Sequence, residues 1–224
     1  MEALLPRVAH RQWTLSLPFS VRMAVVKQPA LLKRLEVELV KSVWHSQRVK
    51  ARRLGAKGHL SGGGVCFWQW FGSRLQLTPH LHLLVPEALW TAAGASVEVP
   101  APEDAEVLAV LQRVLRKAAK HWPEDVTLWA EDEYQAMQHE AVQANLGLPD
   151  GAPVPRRRRL VAVAHGFSLH ADTAVHGHDR QGIERLARYG ARGAIAEARL
   201  VALPDGRYQY TPKKGVTFSM TAED

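Results

Sequence analysis

Cysteine is almost absent. The single residue, Cys66, excludes an intramolecular disulfide framework and any multi-cysteine zinc module. Within the run VCFWQWF it reads as a small core residue. Long apolar runs are missing too. No stretch approaches membrane-spanning length, and the N-terminal MEALLPRVAHRQW lacks the apolar centre of a secretory signal. A soluble, cytoplasmic protein is therefore expected. Acidic residues are in deficit: Asp and Glu number 22 against 29 Lys and Arg, a formal net charge of +7 with a pI near 9.8. That balance favours an anionic partner, nucleic acid first. The Gly62-Gly63-Gly64 run lacks the spacing of a phosphate-binding loop, and no Lys-Ser/Thr follows it, so it is read as a flexible hinge.

What is present is enough for a core. With 46% hydrophobic residues over 224 positions, the chain can fill one large domain, or a domain with an insertion. The stretch from Phe71 to Val85, FGSRLQLTPHLHLLV, centres on Pro79-His80-Leu81-His82. Leu81 through Val85 reads as a buried strand. Strand side chains alternate between faces, so His80 and His82 share one face and Leu81 and Leu83 the other. Two imidazoles side by side on a rigid strand make half of a divalent-metal site; the alternative is two histidines on a polar sheet face. Val65 to Phe71 is a second strand. Gln69 shares its face with Val65, Phe67 and Phe71, while Cys66, Trp68 and Trp70 take the other. The short connection between the strands predicts an antiparallel pair, with Gln69 beside His80 and His82. A polar side chain among aromatics needs a partner.

Elsewhere the chain alternates between strand and helix patterns. Arg11 to Leu17 sets Trp13, Leu15 and Leu17 on a buried face and Gln12, Thr14 and Ser16 opposite, and Pro18 ends the strand. A helix is predicted from Pro29 to Leu54, with Leu32, Leu35, Leu39 and Val43 as its buried stripe and Gly55 as its stop. Its last turns carry Arg48, Lys50, Arg52 and Arg53, which complement the helix C-terminus and are candidates to hold phosphates. Residues 91–159 read as a helical insertion packed on the core. Pro100 and Pro102 open a helix to about His121, with Val107, Val110, Leu111 and Val114 inward. A second helix runs from about Asp125 to Leu146, and a turn-rich linker leads to Arg156, Arg157, Arg158 and Arg159. That arginine run is either a DNA-backbone contact or a solvated loop.

Leu160 to Ala164 and Gly166 to Val175 supply strand material, the second setting Phe167, Leu169 and Ala171 against Ser168, His170 and Asp172. Asp179 reads as the N-cap of a helix reaching Arg188 to Arg192, with Ile183, Leu186 and Ala187 as its stripe. Tyr189, one of only four tyrosines, lies at the edge of that stripe, with Arg185 four residues before it and Arg192 three after. Leu200 to Leu203 and Tyr208 to Thr211 form a hairpin around Pro204-Asp205-Gly206-Arg207. The last residues are one more strand or a frayed tail.

In this order, FWQWFGSRLQLTPHLHLLV, GFSLHADTAV and HDRQGIERLARYGARGAIAEARLVALPDGRYQYTPKK resemble the core of bacterial rolling-circle transposases. These form the insertion-sequence and common-region branch of the HUH (His-hydrophobe-His) single-strand nuclease superfamily. RQWTLSLPFSVR and the basic helix ending in RRLG resemble the family's first strand and helix. The resemblance implies an α+β fold, a mostly antiparallel central sheet flanked by helices, as a single domain over 1–224. It implies a nicking-joining endonuclease in which His80 and His82 hold Mg2+ or Mn2+. Tyr189 would attack a single-stranded DNA phosphate to give a 5′-phosphotyrosine. Arg185 stands at the place, about one helical turn before Tyr189, where some relatives carry a second tyrosine, with Ile183 nearby, so the one-tyrosine form is implied. The third ligand, from one strand earlier in some members, falls on Gln69, whose amide oxygen suits a hard cation; His170 is its rival. Arg185, Arg188 and Arg192 become phosphate contacts, and single-stranded or hairpin DNA the partner. Relatives usually begin with a Cys-rich zinc-binding region and continue past the hairpin, so a truncated form is implied. Two other classes stay open: a relic that binds single-stranded DNA without cutting it, and a metal-dependent phosphoesterase that uses water instead of a tyrosine.

Overall fold

The computed structural model describes residues 6–71, 77–120, 122, 159–190, 199–212 and 217–221. In chain order the elements are β1 (His10–Ser16), α1 (Phe19–Lys27), α2 (Pro29–Arg53), β2 (Leu60–Ser61), β3 (Val65–Phe71), β4 (Leu77–Pro86), β5 (Ala88–Thr91), β6 (Ser96–Glu98), α3 (Asp104–Ala119), β7 (Val161–Ala164), β8 (Phe167–His170), β9 (Ala174–Val175), α4 (Arg180–Gly190), β10 (Leu200–Ala202), β11 (Tyr208–Tyr210) and β12 (Phe218–Met220). The fold is α+β, as expected.

The central sheet runs β3-β4-β1-β8-β7, with β9 also paired to β1, and every pairing is antiparallel. Alternation along the strands gives it two unlike faces. One face carries Trp13, Leu15, Leu81, Leu83, Val85, Phe167 and Leu169, none more than 3% exposed. Against it pack the stripe of α2, Leu32, Leu35, Leu39 and Val43, and that of α3, Val107, Val110, Leu111, Val114 and Leu115. Each of these side chains contributes about 1.5–3 kcal/mol by leaving water, so the register of β4 is pinned. A slip of one residue would send the whole leucine set to the other face.

Polar anchors fix the end of α2. Gln47 Nε2 donates to the Pro86 carbonyl at 2.9 Å. Lys50 Nζ donates to the carbonyls of Pro100 and Ala101 and pairs with Glu106 at 2.9 Å. Arg52 donates to the carbonyls of Ala56 and Gly58. Lys50 and Arg52 therefore leave the set of phosphate-contact candidates, and Arg48 and Arg53 stay exposed. Gly55, at φ +90, stops the helix as anticipated.

Four features differ from the expectations or add to them. The nine-residue helix α1, burying Val21 and Val25, was not anticipated. Nor were β5 and β6, which join β2 in a small second sheet over Ala51, Leu60, Leu89 and Val99. The glycine run also supplies room: a Cβ on Gly62 would lie 3.1 Å from the Trp44 indole, and one on Gly64 3.0 Å from the Leu84 carbonyl. The C-terminal end is a strand, β12, on the β10–β11 hairpin. The helix expected over 125–146, Arg156, Arg157, Arg158 and Arg192 lie outside the described residues. Among those described, no helix is long and apolar enough to cross a membrane.

Candidate active site

The second face of the central sheet is polar, and strand register assembles it in rows. Gln69, His80, Ser16 and Ser168 are successive cross-strand partners on β3, β4, β1 and β8; the neighbouring row is Phe67, His82, Thr14 and His170. His80 and His82 thus share one face, with ring centroids 6.4 Å apart. Gln69 stands one strand spacing from His80, about 5 Å, and His170 two spacings from His82. His170 is nevertheless near enough for its charge to act on His80.

Strand β1 supplies the groups that orient both imidazoles. Ser16 Oγ lies 2.8 Å from His80 Nδ1. Thr14 Oγ1 and the Gln12 amide lie 3.1 and 2.9 Å from His82 Nδ1. On the other side of His82, the Phe67 ring stacks at a centroid distance of 5.0 Å and an interplanar angle of 11°. With Nδ1 engaged by β1, a ligand would have to take Nε2 of each ring, and that of His82 lies buried. A ligating Nε2 requires Nδ1 to carry the proton, and Ser16 and Thr14 hydroxyls can accept it. Gln12 must then turn its oxygen to the ring, which its amide does within the same volume.

Burial shifts both rings toward the neutral form, the one that ligates a metal. Burial lowers His82 to about 4, with the charge of His80 adding to the effect. His80 is also lowered, by burial first, then by Arg22 and His170. Arg22, on α1, is tethered by its Nε to the Leu17 carbonyl at 3.1 Å, which holds a cation next to His80. Among the described residues no three or more His, Cys, Asp or Glu side chains converge. A cation at this face would be held by the two imidazoles and completed by oxygen donors, of which the Gln69 amide is nearest in register. This donor set fits a small divalent ion.

Helix α4 reaches the same face. Asp179 caps it as expected, its Oδ1 accepting the Gly182 N–H at 2.8 Å. Ile183 is buried at 1% exposure, while Leu186 and Ala187 are half-buried. The last residue, Gly190, lies directly on Phe67: a Cβ there would come within 2.6 Å of Phe67 Cδ1 and closer still to Cε1 and Cζ. The turn that carries Tyr189 therefore ends on the ring that stacks on His82. Arg185 and Arg188 are exposed at 70% and 75%, each beside a carboxylate, Asp179 and Glu184 respectively. Exposed pairs of this kind are weak. Arg159 is exposed in a turn before β7.

Four contributors were not anticipated as site residues. Gln12, Thr14 and Ser16 stood in the sequence as the polar half of an alternating strand, but nothing in it tied them to histidines 64 to 70 positions away. Arg22 was missed together with its helix. A family model described as "Putative transposase" matches residues 63–223, which include Gln69, His80, His82 and Tyr189 but not β1. No curated protein and no solved structure matches the chain.

Proposed function

The chain belongs to this transposase family, and on that premise we propose that it cuts and rejoins single-stranded DNA through Tyr189 at a cation held by His80 and His82. The observation that carries the reading is the stack of three layers. The backbone at Gly190 rests on Phe67, Phe67 rests on His82, and His82 is oriented by Thr14 and Gln12. A tyrosine-bearing helix end and a pair of neutral imidazoles thereby share one sheet face.

A bound Mg2+ or Mn2+ would neutralise charge developing on the scissile phosphate. The protein's own groups do the rest. His80 and His82 supply nitrogen donors, with Ser16 and Thr14 keeping the ligating tautomer. Gln69 is the favoured third donor and His170 the alternative. Arg22, held beside His80, faces the phosphate, and Arg185, Arg188, Arg192 and the 156–159 arginines are the candidate DNA-backbone contacts. The Tyr189 phenol loses its proton and its oxygen bonds to phosphorus, while the bond from phosphorus to the 3′ oxygen breaks. The 3′ oxygen leaves and takes up a proton. The products are a 5′-phosphotyrosine and a free 3′-hydroxyl, so a second 3′-hydroxyl rejoins the strand by the reverse step without ATP.

The test is incubation of the protein with labelled single-stranded oligonucleotides from the ends of its element, with Mg2+ or Mn2+ and with a chelator. Covalent adducts on a denaturing gel that require the cation support the reading. Binding without adducts in any metal would make the protein a DNA-binding relic, and cleavage without adducts would make it a water-using phosphoesterase.

A further inference from the structure

The helical layer, on the other side of the sheet from His80 and His82, holds a second cluster of basic residues. Helices α2 and α3 enclose a cleft of about 200 Å3 lined by Ser42, His45, Val49 and Arg53 from one and Ala109 and Arg113 from the other. The α2 positions recur at three, four and four residues, so the stripe is a single helix face. Arg48 stands one turn from His45, and the charges of both Arg48 and Arg113 act on that imidazole. None of Arg48, Arg53 or Arg113 has an acidic partner among the described residues, whereas Arg11, Lys33, Arg34, Lys50, Arg185, Arg188 and Arg207 each have one. The one carboxylate at the rim, Glu106, is engaged by Lys50 Nζ at 2.9 Å and the Glu103 N–H at 2.8 Å.

Two observations point to an anion. Like charges meet here while the one lining carboxylate, Glu106, is already paired with Lys50, an arrangement that a bound negative charge relieves. The floor also carries a buried donor: Ser42 is 1% exposed, lines the cleft, and its hydroxyl makes no hydrogen bond in the structure. Buried hydroxyls are normally satisfied. The α2 C-terminus does not account for the cluster, because the terminal carbonyls of Lys50, Ala51 and Arg52 already accept the N–H groups of Leu54, Ala56 and Gly55.

We propose that the α2–α3 cleft is a second DNA contact, in which Arg53, Arg113 and Arg48 hold successive phosphodiesters of the strand flanking the cleavage position, above the buried Ser42 hydroxyl. The inference rests on the reading of the protein as a DNA-cutting enzyme, but it concerns a separate segment of DNA. A long substrate passes from the polar sheet face around to the helical layer; a short one occupies the sheet face alone.

The experiment measures fluorescence anisotropy of labelled single strands, long and short, with the full chain carrying Tyr189→Phe in chelator, so that no cleavage contributes. The cleft pair Arg53→Glu/Arg113→Glu is compared with Arg116→Glu/Lys57→Glu, an equal charge change at exposed positions outside the cleft. A milder Arg53→Gln/Arg113→Gln pair guards against misfolding, with melting curves recorded for all. Expected is a loss of about tenfold or more in affinity for the long strand, with the log–log salt slope falling by about 1.4 for two lost phosphate contacts. The short strand and the control pair should stay within about threefold. Cleft variants that bind the long strand as the control pair does overturn the proposal. Because binding is read without metal or tyrosine, that failure is distinct from an absence of adducts in the unaltered protein, which would overturn the cleavage reading alone.

Discussion

Replacing Gly190 by alanine perturbs the proposed site through one methyl group. In an ordinary helix that change stabilises by up to about 1 kcal/mol, since glycine is the poorer helix former. Here the added Cβ would sit 2.6 Å from Phe67 Cδ1, against 3.4 Å for ordinary contact. The aromatic ring is not free to turn away, because one of its faces stacks on His82 with centroids 5.0 Å apart. The end of α4 must therefore lift by about 1 Å, and a misplacement of that size at a reacting group costs up to about a hundredfold in rate. The expected outcome is adduct formation slowed by tens of fold or more, with a melting temperature that falls or stays level instead of rising. Adding Phe67→Ala removes the obstruction and should restore part of the rate lost by Gly190→Ala, a coupling that a double-mutant cycle reads directly. Full-rate adduct formation in Gly190→Ala, together with a raised melting temperature, would refute the stack on which the functional reading rests.

Other outcomes follow from the same contacts. Ser16→Ala and Thr14→Val should each weaken Mn2+ binding about tenfold to a hundredfold by calorimetry while the fold is retained, because each removes a group that orients a ligating imidazole; unchanged affinity in both would remove β1 from the site. Lys50→Met leaves Glu106 and two carbonyls without their donor and should lower stability by about 2 kcal/mol in urea titrations. Burial pushes the Cys66 thiol up to about 12, so the native protein should resist iodoacetamide at about pH 8 and label only when unfolded; rapid labelling of the folded chain would contradict the packing of β3.

Much of this architecture is written locally. The alternation of β1, β3 and β4, the stripes of α2 and α3, the Asp179 cap and the Gly55 stop all depend on neighbours within a few residues, and all stand where the pattern puts them. The His80–His82 face follows from alternation alone. What the pattern does not carry is which strand lies on the side of β4 away from β3. That strand is β1, placed there by the shared leucine core, and its polar half thereby becomes the support of the histidines. Helix α1 escaped because a short segment between Pro18 and the Gln28-Pro29 pair has almost no amphipathic signal, and Arg22 escaped with it. The short strands β2, β5 and β6 escaped because two to four residues leave little periodicity to read.

The central claim is that a tyrosine on α4 becomes joined to DNA. The most direct measurement traps the adduct on a labelled single strand, digests the protein and sequences the DNA-linked peptide by mass spectrometry, alongside Tyr189→Phe. The account predicts that the modified residue is Tyr189, that the link is to a 5′ phosphate, and that Tyr189→Phe forms no adduct while its melting curve and DNA affinity stay nearly unchanged. A linked peptide containing Tyr134, Tyr208 or Tyr210, or adducts that persist in Tyr189→Phe, would contradict it.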